Sequence, residues 1–285
     1  MNVRGTNIMQ RLLVTTCVLA SAFSACTVLR GQETPTPPDK VTVAFSDPSR
    51  PGRLRVQLVQ GGVTVRAYDG KDVTIEARVR DERSRRTDRT REGLRRLVNT
   101  ATGLQVEEDN NDMRVSTQSF SRTVDLTIQV PRATSLKLGA VNSGDIVVEG
   151  VDGDIEVNNI NGGVTLDGVA GAVVAHALND DLKVRLTRVP SGKPMSFSSL
   201  NGDIDVTLPA TTKATVKLET EHGEILTDFD VTLQNTPAKT VVESGASKGR
   251  YRVRVDKAMS GLINGGGPEF TFKTFNGDIR IRKAP

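Results

Sequence analysis

Glycine recurs at Gly144, Gly153, Gly162 and Gly171, each nine residues after the last, and Asp180 takes the fifth place. Apolar residues keep the same register. Ile146, Ile155, Val164, Val173 and Leu182 form one column. Val148, Val157, Leu166, Ala175 and Val184 form a second, and Val151, Ile160, Val169 and Leu178 a third. Apolar residues two apart share one face of a strand. A glycine two residues ahead of the strand offers a positive φ, so the chain can turn sharply. A nine-residue unit is therefore a strand plus a corner. One unit cannot bury its apolar face alone, whereas stacked units can. Two units make a coil of about 18 residues, with strands of successive coils about 4.8 Å apart. On this reading, residues nine apart sit above one another and seal a shared dry interior.

The register returns after an insertion at 190–194. Leu200-Asn201-Gly202-Asp203-Ile204-Asp205-Val206 repeats the unit, Glu221-His222-Gly223-Glu224-Ile225 does so weakly, and Phe275-Asn276-Gly277-Asp278-Ile279-Arg280-Ile281 does so fully. Gly202 and Gly277 thus join the turn series, and residues 228–249 are a less regular excursion. Aromatics make up only 4% of the chain and Trp is absent, so the core must be built from Val, Ile and Leu, which suit strands. The predicted fold is all-β: a parallel β-solenoid, right-handed by default, over residues 136–285. Residues 41–135 read as an N-terminal strand-rich portion. It includes Arg55-Val56-Gln57-Leu58 and Val63-Thr64-Val65 around Gly61-Gly62, and Val124 to Val130 ending at Pro131. One short helix is expected near 81–99, where Leu94, Leu97 and Val98 form a stripe among interleaved Arg and acidic residues. Its charges read as a solvated, ion-paired face, with a basic patch for anionic lipid or glycan as the alternative.

Residues 1–25 read as a signal peptide. Arg4 and Arg11 precede an apolar run, Leu12 to Ala22, too short to span a bilayer. Phe23-Ser24-Ala25-Cys26 resembles a bacterial lipobox, with Phe23 in place of the usual Leu. Cys17 would leave with the signal, and lipidation would account for Cys26 as the one mature thiol. Ordinary cleavage after Ala22, Ser24 or Ala25, and an uncleaved anchor, are the alternatives. Residues 26–40 then form a tether, with Thr34-Pro35-Thr36-Pro37-Pro38-Asp39 an extended spacer. Removing Arg4 and Arg11 lowers the formal charge from +4 to about +2. Neither that charge nor the scarcity of aromatics near basic residues favours nucleic acid as a partner.

Each candidate for site chemistry also has a plain surface role. Calcium-binding nonapeptide repeats need several glycines and an acid in each turn. Here Asp145 and Asp154 are followed in their column by Gly163 and Ala172, so the acidic column stops. No metal and no cofactor is expected. A polysaccharide-cleaving site needs paired acids. Asp203 with Asp205, and Glu221 with Glu224 around His222, are the candidates, and they also read as surface charge alternating with core. His176 takes an outward strand position. Gly265-Gly266-Gly267-Pro268 lacks the Lys-Ser/Thr of a phosphate loop and reads as a turn.

The Asn-Gly-Asp-Ile repeats, Ile263-Asn264-Gly265-Gly266-Gly267-Pro268 and the closing Asn276-Gly277-Asp278-Ile279 resemble the bacterial putative-adhesin family, a domain of unknown function with a solenoid-like repeat. The resemblance runs from about Val41 onward and is best from Leu136. It implies an envelope-associated, non-enzymatic domain and transfers no residue roles. The expected function is an exported, non-catalytic interaction module. Its partners would be a membrane, through lipid on Cys26, and a surface polysaccharide or an envelope protein. An envelope scaffold or stress-sensing partner is the alternative, and a polysaccharide-active β-helix enzyme a minor one.

Overall fold

A computed structural model describes residues 38–80, 101–118, 122–234, 240–244, 251–255 and 258–285. Cys26, most of the tether and the helix expected near 81–99 lie outside these residues. Every element among the described residues is a strand. The alternation in the sequence explains why. In Ile155–Asn159 the burial alternates strictly, so one side chain in two enters the core and the next faces out.

The chain opens with β1 (Asp39–Ala44), β2 (Arg53–Gln60), β3 (Val63–Tyr68), β4 (Asp72–Val79), β5 (Leu104–Asp109), β6 (Asp112–Thr117) and β7 (Val124–Pro131). The repeat follows as β8 (Ser135–Asn142), β9 (Ile146–Glu149), β10 (Ile155–Asn159), β11 (Val164–Val169), β12 (Val173–Ala177) and β13 (Leu182–Leu186). Then come β14 (Met195–Ser199), β15 (Ile204–Leu208), β16 (Ala214–Glu219), β17 (Ile225–Thr227) and β18 (Val231–Gln234). The chain ends with β19 (Thr240–Ser244), β20 (Tyr251–Val255), β21 (Met259–Ile263), β22 (Glu269–Lys273) and β23 (Ile279–Lys283).

Two sheets enclose the core. One runs β1-β4-β7-β3-β9-β11-β13-β15-β23-β17, and the other β18-β21-β16-β22-β14-β12-β10-β8-β2-β6-β5. Among the described residues β19 and β20 pair only with each other, antiparallel. Pairing through the middle of both sheets is parallel. Antiparallel pairs occur at the ends, as β1–β4 and β4–β7, as β5–β6, and as β18–β21 and β21–β16. The stack extends below residue 136, because β2 and β3 pair in parallel with β8 and β9. β2 and β3 go to different sheets, so Gly61-Gly62 is a corner of the coil.

The register corrects one expectation. Val164 pairs with Ile146 and with Leu182, while Ile155 pairs with Leu136 and Val173. Residues eighteen apart therefore stack, and residues nine apart belong to opposite sheets. A strand and one corner carry the chain across the coil, and a second strand and corner bring it back above itself. Ile146, Val148, Ile155, Val157, Val164, Leu166, Val173, Val184 and Leu182 are all buried in one continuous apolar core. Val151 and Val169 are buried, and Ile160 and Leu178 are half-buried at a corner.

The order of rungs in space departs from their order in sequence. β22 lies between β14 and β16, and β23 between β15 and β17. The C-terminal pair of strands is thus threaded between two rungs formed by earlier residues. Phe270 and Phe272 on β22 are fully buried, and Phe272 stacks on Phe197 of β14 with ring centroids 5.0 Å apart.

Candidate binding surface

The corner that follows the second sheet carries a ladder of side-chain amides. Asn161 Nδ2 donates to Asn142 Oδ1 at 2.7 Å, and Asn179 Nδ2 to Asn161 Oδ1 at 2.8 Å. Asn201 Nδ2 donates to Asn179 Oδ1 at 2.9 Å, and Asn276 Nδ2 to Asn201 Oδ1 at 2.8 Å. Asn161, Asn179, Asn201 and Asn276 each give one N–H to the rung below, and a carboxamide carries two. Beside the ladder runs an apolar row, Val141, Ile160, Leu178, Leu200 and Phe275. Leu200 and Phe275 are 40% and 46% exposed. His222 closes the ridge on the next rung, with its ring edge-on to Phe275 at 5.2 Å. The result is a strip of two side-by-side rows, one amide and one apolar, repeating once per rung.

Each residue of Asn201-Gly202-Asp203 has its own partner on a neighbouring rung. Asn201 belongs to the ladder. A Cβ on Gly202 would lie 2.1 Å from the Asp180 carbonyl oxygen. Asp203 Oδ1 accepts the Asp278 N–H at 2.8 Å, and the Asp203 N–H is given to Asp181 Oδ1 at 3.1 Å. The same roles recur below, where Asp145 Oδ1 accepts the Gly163 N–H at 2.9 Å and Asp154 Oδ1 the Ala172 N–H at 3.0 Å. These corner carboxylates thus cap the backbone of the next rung. The Asp278 N–H, and then Arg280, hold Asp203 below the usual aspartate range against the opposing effect of burial.

The turn glycines serve close approach. Gly144, Gly153, Gly162, Gly171, Gly202 and Gly277 sit at corners, and none has a positive φ. At every one of them an added Cβ would fall within 2.3 Å of backbone on the adjacent rung. Positive φ occurs elsewhere, as at Gly61, Gly150 and Gly168.

Both acids of the first pair are ion-paired. Asp203 accepts from Arg280 at 2.7 Å, and Asp205 from Arg282 at 3.0 Å. The Glu224 N–H bonds Asp278 Oδ1, and His222 packs on Phe275. His176 does have a partner, since its Nδ1 lies 2.8 Å from Ser198 Oγ on the adjacent strand. That pair lies on the outer face of the second sheet, where Ser198 neighbours Lys273. The rest of the outer faces is largely ion-paired, as at Arg66–Glu149, Lys137–Glu156, Arg185–Asp167 and Lys273–Glu219. Among the described residues no three His, Cys, Asp or Glu side chains converge as metal ligands would.

Residues 140–264 match the model of a protein family described as Toastrack DUF4097. The match starts within β8 and ends just past β21. No curated protein sequence matches the chain. A putative cell adhesion protein from Clostridium sporogenes is 11% identical, with 87% of this chain and 100% of that one covered and a TM-score of 0.46. A putative adhesin from Bacteroides fragilis is 10% identical, with 87% and 97% covered and a TM-score of 0.39.

The sequence signalled the corners but not the ladder. Asn161 and Asn201 stand before glycine, which reads as turn chemistry. The recurrence of Asn at 161 and 179, one full coil apart, was the available sign that the side chains meet.

Proposed function

We propose that this protein is an exported, non-catalytic interaction module of the cell envelope, held by lipid on Cys26. It grips an extended, repeating surface polymer along the asparagine ridge. The carrying observation is the ridge itself, with one side-chain amide and one partly exposed apolar side chain on each of five rungs, about 4.8 Å apart. A polysaccharide chain offers hydroxyl acceptors and apolar ring faces at a similarly regular repeat. Rigid strands fix these groups in line, so little order has to be created on binding. The tether at 34–39 would raise the module off the membrane.

The test is retention of native envelope polysaccharide, and of extended glycans on an array, by the mature protein. Replacing the two most exposed apolar residues of the row, Leu200→Lys with Phe275→Ser, should abolish retention of neutral glycans and leave the melting temperature nearly unchanged. Retention equal to that of the parent protein would remove the ridge from the binding reaction. Lipidation is read from the mature N-terminus, where mass spectrometry should find a diacylglyceryl-modified Cys26.

A scaffold role draws support from the far end of the sheets. There β17 and β18 are edge strands, with Leu226 and Leu233 45% and 59% exposed. Such edges invite strand pairing. Capture of one envelope protein with no glycan signal would favour this reading.

A further inference from the structure

At the opposite corner from the ridge, the loops leading into β14, β22 and β16 lie side by side, because those strands are adjacent and parallel. Together they line a cleft of about 460 Å3, within the range of small-molecule sites. Its charge is one-sided. Arg188 and Lys213 are the charged residues lining it, both are exposed, and neither forms an ion pair among the described residues. This departs from the sheet faces, where arginines and lysines are largely matched with acids.

The lining also offers hydroxyls and apolar walls. Ser191 and Thr211 carry hydroxyls on the exposed lip. Thr212 is 4% exposed, and its Oγ1 is buried without a hydrogen-bond partner. An orphaned buried hydroxyl is unusual in a folded protein. Pro190, Pro209 and Pro268 supply rigid apolar surface.

The floor is held in place. Lys193, in the β13–β14 insertion, is salt-bridged to Asp154 at 2.7 Å. Asn264 Nδ2 donates to the Ala210 and Thr212 carbonyls at 3.0 and 2.8 Å. Thr215 Oγ1 donates to the Gly267 carbonyl at 3.1 Å. The insertion that interrupts the nine-residue register thus builds one wall of this cleft.

We propose that the cleft binds an acidic sugar unit. The carboxylate sits between the Arg188 guanidinium and the Lys213 ammonium. The ring lies against the prolines, and its hydroxyls meet Ser191, Thr211 and Thr212. A planar guanidinium matches a carboxylate in two parallel bonds, and the ammonium adds a second charge. The site is separate from the ridge and does not depend on it.

Calorimetric titration of the mature chain with an oligogalacturonate is the test. Saturable binding is expected, weakened about tenfold or more by Arg188→Gln and by Lys213→Gln. A neutral oligosaccharide of equal length should bind at least about tenfold more weakly. Thr211→Val removes a hydroxyl without touching charge and should weaken binding less. Both charge variants should melt like the parent, since their side chains are exposed and unpaired. The Leu200→Lys, Phe275→Ser protein should bind the oligogalacturonate normally, so a failure at the ridge and a failure here are distinguishable. The proposal is overturned by absence of saturable binding, or by binding that both charge variants leave intact. It is equally overturned if inorganic sulfate or phosphate binds as tightly as the uronate, which would make the cleft a simple anion site.

Discussion

Asn159 is fully buried, and its Nδ2 bonds the Gly144 carbonyl on one rung and the Gly163 carbonyl on its own, both at 3.1 Å. Its stacked equivalents farther along, Thr274 and Thr220, donate hydroxyls to the Gly202 and Gly277 carbonyls. Corner carbonyls that the strands cannot satisfy are thus met from inside. Asn159→Ala should cost about 1–3 kcal/mol, because the Gly144 oxygen would be left buried and unpaired. Chemical denaturation would measure that loss, and an unchanged midpoint would mean that water reaches the corner. Gly162→Ala tests the close approach, since the new Cβ would meet the Gly144 oxygen at 2.3 Å. A marked drop in melting temperature is expected although the backbone there suits any residue. The spacing of these glycines was legible in the sequence. Their reason was not, because a glycine needed for positive φ and one needed for a neighbouring carbonyl look alike in a single chain.

At the scale of strands, apolar alternation announced β9 to β13, and then β15, almost directly. Three columns in register are hard to satisfy with anything but stacked strands. What alternation could not reveal was which residues touch, since nine-residue and eighteen-residue stacking give the same columns. Partners across the insertion were equally hidden. His176 and Ser198 are 22 residues apart, and only the loop at 187–194 brings them level. Val164 has Ile146 and Leu182 as its stacked neighbours. Val164→Asp should therefore bury an unpaired charge and destabilise by several kcal/mol, roughly 4 or more. Phe272→Ala should cost about 3–5 kcal/mol, through lost burial and the space left beside Phe197. Thermal melts of the two variants would check both figures, and a parental melt for Val164→Asp would exclude the stacking described above.

Across the whole molecule, corner carboxylates tie rung to rung, so stability should respond to acid. Asp203 titrates below the ordinary value of 3.8, held there by the Asp278 N–H and Arg280. Asp154 also lies below it. Burial pushes Asp154 up, and Lys193 with the Ala172 N–H outweighs that push. A depressed folded-state value means that the contribution is complete above the unfolded value and is lost as pH falls through the folded one. Melting temperature should hold between about pH 7 and 5 and drop below about pH 4. Replacing Asp203 by Asn should flatten part of that drop, and an identical acid limb in the variant would count against the assignment.

The threading of β22 and β23 between earlier rungs has a consequence for how such a chain could be delivered. A ribosome or a secretion pore releases a polypeptide from its beginning to its end. The rung of β16 and β17 pairs with β22 and β23, so it has no seat in the stack until β22 and β23 have emerged. A nascent chain lacking β22 and β23 should stay protease-sensitive beyond β15, and arrival of that pair, rather than gradual accretion, would set the moment of closure.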